Sequence, residues 1–292
     1  MLVKGPVGQR KLLTGLIGAP IAHSASPTMH EQAAEALGLR CHYQLIEVAG
    51  ANESELRVLL EGAQRVGFAG VNITYPYKEA IVPLLDELSP RAAELGAVNT
   101  VVFREGRSVG YNTDTTGFAR AVAPLLARSD NAVAVIGTGG VGKAIAFALA
   151  SLNVLDIRLF DSEPSRAETL ASRLPGQAAI VASTLAGALD GATGLVNATP
   201  VGMWPNRATP VPPKLLHKGF WVADAVYSPL MTPLLAAAQQ NGARIMTGRE
   251  LAVYQAAEAF ELFTGCAPSV EVMGHAFDTI MAERSSAVAQ SA

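Results

Sequence analysis

Short apolar runs rich in β-branched residues alternate along this chain with longer amphipathic segments, a rhythm that predicts βα units around mainly parallel sheets. The apolar runs place strands at 12–18, 43–48, 70–74, 100–104, 108–112, 131–137, 156–160, 179–183, 194–198, 221–226 and 243–247, with helices filling most gaps. VVFREGRSVGYN reads as a short hairpin, because two apolar stretches flank the polar turn Glu105-Gly106-Arg107. A helical stretch runs from Asp114 to about Arg128. NAVAVIGTGGVGKAIAFALASL then starts a fresh strand, glycine turn and helix, the opening of a second domain. After the last strand, helical patterns at 249–264 and 269–283 have no further strand to serve, so they are expected to pack back on the first lobe. The expected organisation is an α/β protein of two lobes, residues 1–113 completed by 248–292, and residues 114–247. The final SSAVAQSA is small and polar enough to fray.

A chain of 292 residues fits two such domains, since single cores stop growing at roughly 250 to 300 residues. Hydrophobic residues at 50% and charged ones at 16% suit a large buried core and exclude a disordered chain. The net charge of -3, with no run of Lys or Arg, provides no electrostatic footprint for nucleic acid or a membrane surface. Cys41 and Cys266 lack CxxC spacing and none of the five histidines has metal-ligand spacing, so no disulfide framework or metal site is expected. The apolar run in the N-terminal MLVKGPVGQRKLL is too short for a signal peptide, and no stretch reaches the ~18 apolar residues of a membrane span; a cytoplasmic location is expected.

The turn formed by Gly137, Thr138, Gly139, Gly140, Val141 and Gly142 follows an apolar strand and opens a helix. In that context the glycines serve a tight turn, a close approach of backbone to a pyrophosphate, and close packing of helix on strand. A glycine-rich turn without a ligand is the plainer alternative. Lys143 also brings GTGGVGKA within one residue of a P-loop, but Ala144 stands where the magnesium-binding hydroxyl belongs. Dinucleotide binding is therefore favoured, and Lys143 reads as an exposed residue of the first helical turn. Asp161 lies about 20 residues on, at the end of the second strand, where a carboxylate accepts the ribose hydroxyls and repels the extra phosphate of NADP. It favours NAD. It could instead be a turn or N-cap aspartate, and Arg166 nearby could accommodate a 2′-phosphate.

GLIGAPIAHSASPTMH, GVNITYPYKEA, LGAVNTVV, YNTDTTG, VNATPVGM, DAVYSPLMTPLL and TGRELAVYQAAEAF resemble, in order and spacing, the signature blocks of the shikimate/quinate dehydrogenase family, from about Leu16 to Gly265. The resemblance implies an N-terminal lobe that binds a polyol acid and a Rossmann-like lobe that binds a nicotinamide cofactor. It implies Ser24 and Ser26 on the substrate carboxylate, although Ser26 could simply cap the helix that begins at Pro27. It implies Lys78 as general base in oxidation and general acid in reduction, with Asp114 as its carboxylate partner. Thr74 and Asn99 match positions for the ring hydroxyls, Asn72 precedes Thr74 on the same expected strand as a further substrate-binding candidate, and Tyr227 matches one near substrate and nicotinamide. On the cofactor side the resemblance implies Thr199, Val201, Met203, Val226, Gly248 and Leu251 beside the glycine turn. Leu251 stands where methionine is common in the family. Asp161-Ser162-Glu163 replaces the Asn-Arg-Thr block of the NADP-dependent biosynthetic members, which points to the NAD-using branch.

Gln255 offers a check that is independent of the resemblance. Val253, Ala256, Ala257 and Phe260 form one apolar stripe at helical spacing, and Gln255 lies opposite, beside Leu251 and Leu262. A second partly apolar face suggests packing toward a site, and the family places a substrate-binding glutamine there. The expected reaction is reversible oxidation of shikimate or quinate to the 3-dehydro ketone with NAD, by a monomer or homodimer that needs no metal. Lobe closure would place hinges near Thr113 and Gly248. The alternatives are an NADP-dependent shikimate dehydrogenase of aromatic biosynthesis, an enzyme of an aminoshikimate-like analogue, and a cofactor-binding protein with little activity.

Overall fold

A computed structural model describes residues 11–126 and 132–290. The first ten residues, the expected helix end at Arg128 and the first residue of the 131–137 strand lie outside the described residues. In chain order the elements are β1 (Lys11–Gly18), α1 (Ser26–Ala36), β2 (Arg40–Glu47), α2 (Glu53–Arg65), β3 (Gly70–Ile73), β4 (Glu87–Leu88), α3 (Pro90–Leu95), β5 (Thr100–Arg104), β6 (Arg107–Tyr111) and α4 (Asp114–Val122). They continue with β7 (Val133–Ile136), α5 (Gly140–Ser151), β8 (Ile157–Phe160), α6 (Pro164–Ala171), β9 (Ala179–Val181), α7 (Leu185–Leu189), β10 (Gly194–Asn197), β11 (Trp221–Asp224), α8 (Pro233–Gln240), β12 (Arg244–Met246), α9 (Gly248–Thr264) and α10 (Val270–Gln290).

The chain divides into two compact units, Met1–Thr113 with Gln255–Ala292, and Asp114–Tyr254. The return to the first unit falls inside α9, between Tyr254 and Gln255. The helix pattern read from sequence has no break there, since a continuous helix can belong to one unit at its start and another at its end.

In the first unit the strand order is β2-β1-β3-β5-β6-β4. β1 lies parallel to β2 and β3, whereas β5 runs antiparallel to both β3 and β6. The expected hairpin is present: Glu105 (φ 52) and Gly106 (φ 80) sit in the left-handed region as its two turn residues, and Arg107 already pairs with Arg104. β4 escaped the sequence reading because two residues carry no period. Leu56, Leu60 and Ala63 bury one stripe of α2, which starts in a capping box between Asn52 and Glu55. Val71 and Ile73 of β3 join this core from the sheet.

All six strands of the second unit are parallel, in the order β12-β11-β10-β7-β8-β9. Numbered from β7, this is the 3-2-1-4-5-6 order of dinucleotide-binding folds, and its topological switch point lies between β7 and β10. β7, β10 and β11 are buried at every position, which suits strands covered on both faces. α4 stops at Val122, earlier than expected, because Pro124 offers no backbone N–H to continue it. α10 runs past the expected end at 283, through Gln290.

Candidate active site

In the first unit, strand direction alone gathers most of the expected substrate residues. β1, β3 and β6 end at one edge of the sheet, and antiparallel β5 begins there. The segments leaving or entering at that edge carry Ser24, Thr74, Lys78, Asn99 and Thr113. Gly18 permits the closest approach: a Cβ there would run into Thr74 Cγ2 and would stand 2.9 Å from the Tyr75 carbonyl oxygen.

Local bonds hold these segments. Ser24 Oγ accepts the Ser26 N–H at 3.2 Å and donates to Ser26 Oγ at 3.1 Å, so the hydroxyl that meets a helix-start N–H belongs to Ser24. The N-cap position itself is Ala25, and Ser26 does not cap α1. Arg284 of α10 donates to the Ser24 carbonyl at 3.2 Å. Lys78 is partly buried and its carbonyl accepts the Val98 N–H at 2.8 Å, which seats it beside the Asn99 segment. The preceding Tyr77 is buried, donates to the Val48 carbonyl and accepts the Ala51 N–H, and so pins the turn between Thr74 and Lys78.

Asn99 is 3% exposed. Its Oδ1 accepts the Thr113 N–H at 2.8 Å and the Thr100 hydroxyl at 3.0 Å, and its Nδ2 donates to Thr113 Oγ1 at 2.9 Å. Because the Thr113 N–H can only donate, it decides which end of the amide is oxygen. Thr113 Oγ1 in turn donates to the Gln255 carbonyl at 3.0 Å, which joins two expected substrate residues through a third that the sequence marked only as a hinge. Asn72 sits one step behind the edge. It accepts from the Tyr43 hydroxyl at 2.8 Å and donates to the Asn99 carbonyl at 3.2 Å and to Thr100 Oγ1 at 3.0 Å, so both of its amide hydrogens are used within the protein.

The second unit contributes the glycine turn. Gly137 has φ 92, and a Cβ there would stand 2.7 Å from Thr199 Cγ2, so the turns after β7 and β10 touch at the switch point. A Cβ on Gly142 would strike the Gly137 carbonyl, whereas one on Gly139 would meet nothing within 4 Å. The open position is the N-cap of α5, which has no side-chain cap. Open space at a bare helix N-terminus fits a dinucleotide pyrophosphate. Asp161, at the end of β8, is bound by Thr138 and by the Glu163 N–H. Burial works to raise its pKa, but the hydrogen bonds from Glu163 and Thr138, with the Arg166 charge, outweigh it and hold the carboxyl below its ordinary value. Arg166 forms an exposed pair with Glu163 at 2.9 Å. Lys143 is partly buried, a correction to the exposed position expected: its α5 turn packs into the unit.

Behind the loops after β10 and β11 lies a buried network that the sequence reading missed. Asn197 Oδ1 accepts the Thr199 N–H and hydroxyl, and its Nδ2 donates to the Val201 carbonyl and to Asp224 Oδ1. Asp224 also accepts the Val226 N–H at 2.9 Å and the Thr232 hydroxyl at 2.7 Å. Burial pushes the Asp224 carboxyl up to about 6 despite these donors. The available signal was a polar residue ending an otherwise apolar strand, in LVN and WVAD. This network holds the segments bearing Thr199, Val201, Val226 and Tyr227. Met203 is exposed, Leu251 is buried, and Gly248 lets α9 start 2.6 Å from the Val226 carbonyl oxygen, measured to the Cβ it lacks. Asp114 opens α4 and is 5% exposed. Among the described residues no group of three His, Cys, Asp or Glu side chains could hold a metal, and no helix is long and apolar enough to cross a membrane.

The family model described as the shikimate dehydrogenase substrate binding domain matches residues 16–101, and that of the shikimate 5′-dehydrogenase C-terminal domain matches residues 248–274. The chain is 45% identical over 270 residues to a shikimate dehydrogenase (NADP(+)) of Streptomyces avermitilis, covering 89% of this chain and 92% of that relative. It is 42% identical over 276 residues to a quinate/shikimate dehydrogenase (NAD(+)) of Corynebacterium efficiens, covering 91% and 97%. Among solved structures it resembles quinate dehydrogenase from Corynebacterium glutamicum in complex with NAD, with a TM-score of 0.86, 39% identity, and coverage of 92% of this chain and 99% of that one.

Proposed function

Because this chain belongs to the shikimate dehydrogenase family, we propose that it reversibly oxidises a ring hydroxyl of shikimate or quinate to the 3-dehydro ketone and that it prefers NAD to NADP. The observation that carries the reading is the convergence of Ser24, Thr74, Lys78 and Asn99 on one sheet edge of the first unit.

The residues divide the work by chemistry. Ser24 and Ser26 bind the substrate carboxylate through hydroxyls at a helix start, without burying a formal positive charge. Thr74, Asn99 and Gln255 present neutral donors and acceptors to the ring hydroxyls, with Tyr227 near the reacting carbon. Lys78 Nζ takes the hydroxyl proton in oxidation and returns it in reduction. An ammonium has no lone pair, so Lys78 acts as base from its neutral form and as acid from its charged form, while Asp114 orients it. A bound nicotinamide supplies the hydride acceptor. Gly139 and the start of α5 would receive the dinucleotide pyrophosphate, and Thr199, Val201, Met203, Val226, Gly248 and Leu251 would line the rest of the cofactor site.

The preference for NAD rests on Asp161. Its carboxylate is held in place by Thr138 and Glu163, and a carboxylate at the end of the second strand of such a unit would repel a 2′-phosphate. Arg166 is engaged with Glu163. The free thiols of Cys41 and Cys266 suit a cytoplasmic enzyme, acting as monomer or homodimer. Initial rates with shikimate and quinate, each with NAD and NADP, test this reading, with Lys78→Ala as control. Turnover that is faster with NAD and collapses in the control supports it. Turnover with NADP alone overturns the cofactor preference, and none in any combination overturns the reaction.

A further inference from the structure

We infer that Tyr43, Asn72 and Thr100 form a buried positioning relay that holds the Asn99 amide in the direction fixed by the Thr113 N–H; this rests on the reading of Asn99 as a ring-hydroxyl contact. Asn72 is then a positioning residue and not itself a substrate ligand.

The hydrogen-bond directions leave a single consistent assignment. Asn72 spends one amide hydrogen on the Asn99 carbonyl and the other on Thr100 Oγ1. Thr100 accepts from Asn72, so its own hydrogen is available for Asn99 Oδ1. The Asn99 carbonyl can only accept, which forbids the flipped orientation of the Asn72 amide, because a flip would turn Asn72 Oδ1 toward it; the Tyr43 hydroxyl, able to donate or accept, therefore donates to Asn72 Oδ1. The relay therefore links a tyrosine on β2, across β1, to β3 and β5, and ends on Asn99. Asn72 and Thr100 are 7% and 0% exposed, so bulk water does not compete for these hydrogen bonds. The base of the relay is rigid: Tyr43 is 3% exposed and packs against His30 at a ring separation of 4.7 Å, with His30 also against Phe260 and Phe263. A site that recognises hydroxyl groups through neutral amides depends on which end of the amide faces the ligand, since donor and acceptor ends differ by one flip.

The test uses the full chain and the variants Thr100→Val, Thr100→Ser and Tyr43→Phe, alone and with Asn99→Ala. Thr100→Val is expected to lower kcat/KM for the polyol acid by about ten-fold or more, with the KM for NAD unchanged, and Thr100→Ser to recover most of the loss. In the Asn99→Ala background the same Thr100→Val change should cost less than about two-fold, because its effect runs through Asn99. Equal costs in both backgrounds would show that Thr100 acts independently, and would overturn the relay. Side-chain amide resonances of Asn99, identified by their loss in Asn99→Ala, provide a readout without turnover. They should shift in Thr100→Val and Tyr43→Phe and return in Thr100→Ser; resonances that do not move reject the inference. An enzyme inactive on shikimate and quinate would sink the proposed reaction, and the amide resonances would still decide the relay.

Discussion

Thr138 and Asp161 are joined twice: the Thr138 N–H and its hydroxyl both donate to Asp161 Oδ2, each at 2.8 Å. The second residue of the glycine turn is thereby tied to the end of the neighbouring strand, so the proposed pyrophosphate and ribose sites share one anchor. Asp161→Ala removes the proposed ribose acceptor and loosens the turn together. The KM for NAD should rise by about ten-fold or more, with a smaller change for NADP, so that the ratio of the two kcat/KM values narrows. Steady-state kinetics with both cofactors checks this; an unchanged ratio would remove Asp161 from cofactor selection.

Lys78→Ala should lower kcat by about 10²- to 10⁴-fold, the usual range for loss of a positioned acid-base group. Titration calorimetry with NAD should show little change in affinity, since the dinucleotide is assigned to the other unit. A fall in both quantities would assign Lys78 to structure and not to proton transfer.

His30 and Asp224 predict opposite pH responses in the two units. Burial holds His30 down to about 3, so the unfolded chain binds more protons than the folded one between about pH 3 and 6.5, and stability is lost as pH falls through that range. Burial raises Asp224 to about 6, so the folded state binds more protons between about pH 4 and 6. Its contribution is fully present below about pH 4 and is lost as pH rises through 6. At roughly 1.4 kcal/mol per unit, the upper bounds are about 5 kcal/mol for His30 and about 3 kcal/mol for Asp224. Calorimetric melting at pH 7 and pH 5 should show the first unit losing stability on acidification. His30→Leu should flatten that loss, and Asp224→Asn should remove the opposing gain in the second unit.

Gly70→Ala tests the packing of α9 on the first sheet. A Cβ at Gly70 would strike the Val101 carbonyl and approach the Phe263 ring to 2.5 Å. Backbone cannot yield as a flexible side chain can, so a loss of roughly 1 to 3 kcal/mol in urea unfolding is expected, with the melting of the second unit unchanged.

Much of the fold was legible because it is written in short-range pattern. The apolar strands of both sheets, the Glu105-Gly106 turn and the glycine turn each depend on neighbours within a few residues, where the 2.0 and 3.6 periods and backbone sterics act directly. Candidate site residues were legible through block order and spacing, a likeness that names positions without showing what their side chains bond to. Asn72 is the clear instance: its candidacy as a substrate residue is visible in the chain, whereas its engagement with Tyr43, Asn99 and Thr100 is not.

By itself the sequence determined most of the element order, the α/β class with its parallel dinucleotide-binding unit, and the chemical types available to the site. Only the tertiary structure decided which of them meet. Thr113 and Gln255 are 142 residues apart and bond directly, and Tyr43 and Asn72 are 29 apart. Such pairs are created when strand order brings distant segments to one edge, and no local period encodes them. The same is true of Asp224 and Thr138, whose roles come from burial and from the strand that happens to lie alongside.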